Sequence, residues 1–233
     1  MVKLSLNNSL PLRVACDGES SSGKSTAAKI ISKKYKIFCM QSGLLFRYAS
    51  LLIIKHKPKK EISFLRKKFK NLNYKSITKL DLHTQEISNH TVIIAKQKKV
   101  RLIIKVFQKK FVKKYNKKIV MEGRDSASHI LNKNPRYDLA FFFKCNLNTA
   151  AYRRWRDLRI TNKHITLKEV KKSLKKRNEL DTKRRFSPLI RVKDSVLIRT
   201  DILSKQAMLD KMSKKIEEKL KLKYGRNDKT RSK

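Results

Sequence analysis

The segment Gly18-Glu19-Ser20-Ser21-Ser22-Gly23-Lys24-Ser25 matches the pattern G-x-x-x-x-G-K-[ST] and narrows what this chain can fold into more than any other feature. Its flanks fit. Residues 12–16 read as a buried strand, and Thr26 opens a helix. A strand, a tight loop and a helix N-terminus aim successive backbone N–H groups, and the positive end of the helix dipole, at one point. That point suits the phosphates of a nucleoside triphosphate. Gly18, Glu19, Ser20, Ser21, Ser22, Gly23, Lys24, Ser25 and Thr26 form the expected cradle. Lys24 would reach the outer phosphates and the Ser25 hydroxyl would ligate Mg²⁺. Glycine is too rare here for a chance match. The chain has 5 glycines in 233 residues, two of them in this loop, where average usage of about 7% would give roughly 16.

The rest of the composition sets bounds. Hydrophobic residues make up 39% of the chain, so it can build an α/β core. No apolar run approaches the roughly 18 residues of a membrane span, and the N-terminus lacks an apolar segment with a small-residue cleavage site. A cytoplasmic protein with no membrane partner is expected. Cys16, Cys39 and Cys145 fall in or beside predicted strands without C-x-x-C spacing, which reads as reduced, buried thiols. The histidines show no metal spacing. Lys and Arg number 61 against 18 Asp and Glu, a formal charge of +43. Two readings of that charge stand side by side. One is a polyanionic partner. The other is compositional bias, since lysines are spread along the whole chain while Gly and Pro are scarce. On the second reading nucleic acid binds only weakly and without specificity. In so lysine-rich a chain an arginine or glycine at a motif position says more than a lysine does.

Strands are predicted at residues 12–16, 37–40, 119–121, 139–143 and 196–198. Helices are predicted from Thr26, at 44–55, 82–95, 100–115, 148–160 (capped by Asn148 or Thr149), 166–179 and 204–222. Residues 56–81 are basic and weakly patterned, and read as an excursion from the core. Residues 225–233 read as a disordered basic tail. Strands alternating with helices predict an α/β fold with a parallel sheet of about five strands, covered by helices on both faces. Ligands in such sheets bind beyond the carboxyl ends of the strands.

Four segments meet that edge. They are the phosphate loop, Ser42-Gly43 with Arg47, the run Glu122-Gly123-Arg124-Asp125, and two arginine-rich helices between the fourth and fifth strands. Phosphoryl transfer needs positioning and charge neutralisation more than covalent chemistry. Arginine forks bind phosphate oxygens bidentately, where lysine acts as a point charge. Arg47, Arg124, Arg153, Arg154, Arg156, Arg159, Arg177 and Arg184 are the candidates.

These residues, in this order, resemble bacterial cytidylate kinase, one of the P-loop nucleoside monophosphate kinases. The resemblance runs over residues 12–220. It rests on Asp17 to Thr26, Gln41-Ser42-Gly43-Leu44-Leu45-Phe46-Arg47, Thr84-Gln85-Glu86, Val100-Arg101, Glu122-Gly123-Arg124-Asp125, Arg153-Arg154 and the series Arg177, Asp181, Arg184, Pro188, Leu189. It implies transfer of the terminal phosphoryl group of ATP-Mg²⁺ to CMP or dCMP. It further implies that Arg47, Arg124 and Arg184 hold the acceptor phosphate. Arg101, Asp125 and Ser42 would serve the base, Arg177 and Asp181 the ribose, and Arg153 and Arg154 a mobile lid. Lys24, Arg124, Arg153, Arg154 and Arg184 are then the catalytic set. Residues 1–224 would form one kinase domain, with a trimmed acceptor-binding insertion at about 48–95 and a helical lid at about 148–186, working as a monomer. The chain departs from the family at Glu19 (proline), Ser21 (glycine), Gln41 (aspartate), His83 (arginine) and Val92 (a serine at the base pocket). Two alternatives remain: a P-loop kinase for UMP or another small acceptor, and a P-loop RNA- or ribosome-binding protein. A GTPase is disfavoured, for D-x-x-G and N-K-x-D motifs are both lacking.

Overall fold

Five short apolar runs become five parallel strands. The computed structural model describes residues 10–160 and 162–224; the tail expected at 225–233 lies outside them. Strands β1 (Leu12–Gly18), β2 (Phe38–Gln41), β3 (Lys118–Gly123), β4 (Leu139–Lys144) and β5 (Val196–Arg199) pair in the order β2-β3-β1-β4-β5. Every pairing is parallel. The pleat sends alternate side chains to opposite faces. Val14 and Cys16 join Val120, Phe141, Phe143 and Ile198 on one face. Ala15 joins Met40, Ile119, Met121 and Ala140 on the other. A parallel sheet must be covered on both sides. Here α1 (Lys24–Lys34) and α9 (Lys205–Tyr224) cover the first face through Ala27, Ala28, Ile31, Met208, Met212 and Ile216. Helices α2 (Ser42–His56), α5 (Gln85–Ile94) and α6 (Lys98–Lys114) cover the second through Leu45, Ala49, Ile87, Ile104 and Phe107. Among the described residues no helix is long and apolar enough to cross a membrane.

Residues 56–81 are not an excursion from the core. They hold α3 (Glu61–Lys70) and the short α4 (Tyr74–Ile77), and Leu65, Phe69, Tyr74 and Ile77 are buried in the second-face core. Ile62, Leu65 and Phe69 keep helical spacing, but the lysines between them dilute the pattern. Asn73 caps α4 by accepting the Lys75 N–H at 3.0 Å. Tyr74 then reaches the sheet, where its hydroxyl accepts the Gln41 N–H at 2.7 Å.

The two helices between β4 and β5, α7 (Leu147–Arg159) and α8 (Leu167–Lys183), pack on each other over Cys145, Ala150, Ala151, Val170 and Leu174. Trp155 joins this small cluster and donates from its indole to the Ile165 carbonyl. The cap of α7 is Asn146, whose side chain accepts the Asn148 N–H, and not Asn148 or Thr149. The helix starts earlier than periodicity suggests because Leu147 is itself helical and packs inward. Helix α8 opens with a reciprocal capping box between Thr166 and Glu169.

Gly18 ends β1 at φ +153°, and a Cβ there would run into the Phe143 carbonyl of β4. Backbone lies on one side and a disfavoured torsion on the other, so Gly18→Ala should destabilise by more than about 1 kcal/mol. A urea titration should show a lower midpoint at an unchanged slope.

Candidate active site

The phosphate loop leaves β1 and curls under its own hydrogen bonds. The Glu19 N–H donates to the Phe143 carbonyl at 3.1 Å. The Ser22 hydroxyl and the Lys24 ammonium both donate back to the Glu19 carbonyl, at 2.8 and 2.9 Å. Gly23 lies at φ +75° in the left-handed region, which glycine enters freely. Ser21 lies there too, at φ +55°. It is the serine that stands where the resemblance has a glycine, and a non-glycine residue at such a torsion stores strain of order 1 kcal/mol or more. The first turn of α1 has no capping side chain. Its free N–H groups and its dipole face the cleft beyond the strand ends, ready for an anion.

The walls of that cleft come from β3, α2, α6, α7 and α8. Its open volume is about 320 Å³, in the range of small-molecule sites. Six guanidinium groups line it: Arg47, Arg101, Arg124, Arg154, Arg177 and Arg184. Four of them are aimed by side-chain or carbonyl partners. Arg47 donates to the Leu82 carbonyl and the Ser88 hydroxyl, at 2.8 and 2.9 Å. Arg101 lies over the Phe46 ring and pairs with Asp125 at 2.6 Å. Arg124 spans from the Ser20 hydroxyl of the phosphate loop, at 3.0 Å, to Asp181, at 2.8 Å. Arg184 takes the other oxygen of Asp181 at 2.9 Å. Burial, then the neighbouring guanidiniums, pulls Arg47 down to about 10. Burial and Arg124 do the same to Arg177, and burial and Arg101 to Arg184, each to about 10. All three stay charged at neutral pH. Among the described residues Arg101 Nε and Arg184 Nη2 are buried donors with no acceptor, so the cleft is short of anionic oxygen.

Most sequence-predicted residues meet here. Ser20, Ser21, Lys24 and Ser25 line the cleft from the donor side. Ser42, Arg47, Arg101, Arg124, Asp125, Arg154, Arg177, Asp181 and Arg184 line it from the acceptor side. Ser42 is set by Gln108, whose amide donates to its hydroxyl at 2.8 Å. Gly18, Glu19, Ser22 and Gly23 shape the loop from behind, and Thr26 is exposed. Arg153 is turned away from the cleft. It donates to the Thr200 carbonyl at 2.7 Å, at the end of β5.

Glu122 also lines the cleft, although the sequence reading gave it no role. It is the last residue but one of β3, in register with Cys16 of β1, and its carboxylate stands 3.6 Å from the Lys24 ammonium. An acidic residue at the end of the strand beside the phosphate-loop strand was the available signal. Thr91 is close but engaged, donating to the Ile87 carbonyl and paired with the Ser50 hydroxyl.

The family model for cytidylate kinase matches residues 14–218. This chain belongs to the cytidylate kinase family. It is accordingly a nucleoside monophosphate kinase, a phosphotransferase. The chain is 30% identical to the cytidylate kinase of Thermosipho melanesiensis over 223 residues, which cover 91% of this chain and all of that one. It is 29% identical to a cytidylate kinase of Clostridium botulinum over 215 residues, covering 87% and 96% of the two chains. A solved protein from Eubacterium ventriosum shares the fold at a TM-score of 0.52 and 17% identity, covering 89% of this chain and 99% of that one.

Lys24 gives a pH signature. Burial and then the Arg124 charge bring its ammonium down to about 7. A triphosphate in the loop adds negative charge beside it and raises that value again. The free protein is then part deprotonated between about pH 7 and 8, and binding takes up protons. Calorimetry in buffers of different ionisation enthalpy should show net uptake at pH 7.5. The uptake should vanish in Lys24→Met.

Proposed function

We propose that this chain transfers the terminal phosphoryl group of ATP to CMP or dCMP, giving CDP or dCDP, in the cleft beyond β1 and β3. One observation carries the reading: a phosphate loop and six arginine forks share one small cleft. Such a density of fixed positive charge matches a triphosphate lying beside a second phosphate.

The donor side holds the outer phosphates with the α1 N-terminus and Lys24. Among the described residues no three His, Cys, Asp or Glu side chains cluster to hold a metal by themselves. That fits Mg²⁺, which keeps most of its water and enters with nucleotide phosphates. The Ser25 hydroxyl and the Glu122 carboxylate are the groups that would hold it, and bound there it would neutralise charge on the transferring group. On the acceptor side, Arg47, Arg124 and Arg184 hold the monophosphate. Arg184 Nη2 supplies a donor that is otherwise unpartnered. Asp181 keeps Arg124 and Arg184 at a fixed separation by pairing with both. Arg101 and Asp125 present a paired donor and acceptor to the base edge, and Arg177 and Asp181 lie toward the ribose. Arg154 reaches in from α7 and closes over the transferring group. Arg153 steadies that helix against Thr200 and, with Arg154, belongs to the lid at about 148–186. Residues 48–95, built into the second-face core, brace the acceptor side, where Leu82 and Ser88 fix Arg47. The three free thiols suit a reducing compartment such as the cytoplasm, and a monomer is part of the same reading.

A coupled ADP-release assay over a panel of nucleoside monophosphates tests this. CMP and dCMP should be the best acceptors. Lys24→Ala should lower kcat by about 10²–10³-fold, as for loss of one preorganised charge donor. Undiminished turnover in that variant would sink the assignment.

Base selectivity has a separate test. Val92 borders a small cavity beside Arg177, Asp181 and Arg184, and can offer the base no hydrogen bond. Discrimination that rests on an unpaired polar group is therefore weaker here. Val92→Ser should raise the CMP/UMP ratio of kcat/KM. An unchanged ratio would show that this position does not touch the base.

A further inference from the structure

One deeply buried carboxylate has no part in the reaction as described. Asp17 is the last residue before Gly18 and is 2% exposed. Among the described residues no cation lies within ion-pair distance of it. A buried charge without a cation is costly unless hydrogen bonds replace its lost water. Asp17 has two. Its Oδ1 accepts the Ser126 N–H at 2.9 Å, and its Oδ2 accepts the Ala127 N–H at 2.7 Å.

Those two N–H groups open a π-helical turn, Ser126–Ile130, directly after Arg124 and Asp125. The first N–H groups of any helical turn lack an acceptor inside the turn. Asp125 stands at the cap position of this turn, yet its side chain does not cap it. Its carboxylate is committed to Arg101 instead. The cap comes from Asp17, on another strand and 109 residues earlier in the chain. The same residue is covalently joined to Gly18, which is jammed against the Phe143 backbone. A rigid stretch of β1 thus carries the donor loop forward and holds the acceptor turn sideways. Beyond the clamp, Arg124 returns to the Ser20 hydroxyl in the donor loop.

We propose that Asp17 is a positioning residue for the acceptor side of the reaction: its carboxylate clamps the turn after β3 and so sets Arg124 and Asp125 relative to the phosphate loop. It touches neither nucleotide. Its effect passes through the turn, so acceptor binding and transfer depend on it while the loop's hold on ATP does not. The proposal rests on the kinase reading above, but its own failure shows differently.

Asp17→Asn keeps the shape, leaves one acceptor and sets an NH₂ group against a backbone N–H. The expected result is a CMP KM raised about tenfold and a lower kcat, with the Kd for ATP within about twofold of wild type. In a double-mutant cycle, Asp17→Asn combined with Asp125→Asn should be little worse for CMP than the poorer single variant, because both act through one turn. Unchanged CMP kinetics, full additivity, or ATP affinity falling in step with CMP affinity would each overturn the proposal. Should Asp17→Asn fail to fold, hydrogen exchange on the wild-type protein decides. The Ser126 and Ala127 amides should be among the slowest to exchange outside the sheet, and fast exchange there would remove the clamp. That measurement needs no turnover, so it stands even if the acceptor proves to be another monophosphate.

Discussion

Six guanidinium groups in one cleft repel one another, and the site exists because a few buried carboxylates hold them apart. Among the described residues the buried acids are Asp17, Glu122 and Asp125; the last two line the cleft and Asp17 lies directly behind it. In a chain with only 18 acids against 61 basic residues that placement is telling. Asp125 holds Arg101, Asp181 holds Arg124 and Arg184, and Glu122 stands by Lys24. Each arginine pairing satisfies some donors of the fork and leaves others unused. Burial first, and the neighbouring cations after it, still lower Lys24, Arg47, Arg177 and Arg184 below their ordinary values. On the function proposed above, a polyphosphate would supply the missing negative charge, and fixed positive charge of this kind needs little rearrangement at the moment of transfer.

The sheet makes this possible through its direction. In a parallel sheet every strand delivers its carboxyl end to the same edge. Here β1 brings Gly18, β2 brings Gln41 and Ser42, and β3 brings Glu122 to Asp125. Register then sets distances: Gln41 and Cys16 both align with Glu122. Few lysines take part. Lys24 and Lys29 are the two in the cleft wall, whereas the arginines supply six. The wider excess of lysine lies outside the cleft, on faces such as those of α3 and α6.

Much of the fold and of the site was legible, because the signals were local. The phosphate loop needs only neighbouring residues to reach its shape. Strand runs such as 139–143 are apolar throughout because both faces are buried. The arginines of α7 and α8 stood out against a lysine background. What stayed hidden depended on partners far along the chain. Leu65 and Phe69 look like scattered apolar residues until the fold buries both in one core, with Phe107 and Tyr48 against the Phe69 ring. Arg153 and Arg154 are adjacent in sequence, yet helix geometry sends one to Thr200 and the other to the cleft.

The sequence by itself determined the loop, the alternation of strands and helices, the family, and the residue types gathered at the strand ends. These follow from short-range torsions, from hydrophobic periodicity, and from the chemistry that arginine and glycine share with no other side chain. Only the tertiary structure decided which carboxylate meets which cation, that Asp17 caps a turn more than a hundred residues away, and that Glu122 faces Lys24. Those pairings are set by sheet register and helix rotation, and two side chains distant in sequence acquire a separation only when the whole sheet has formed.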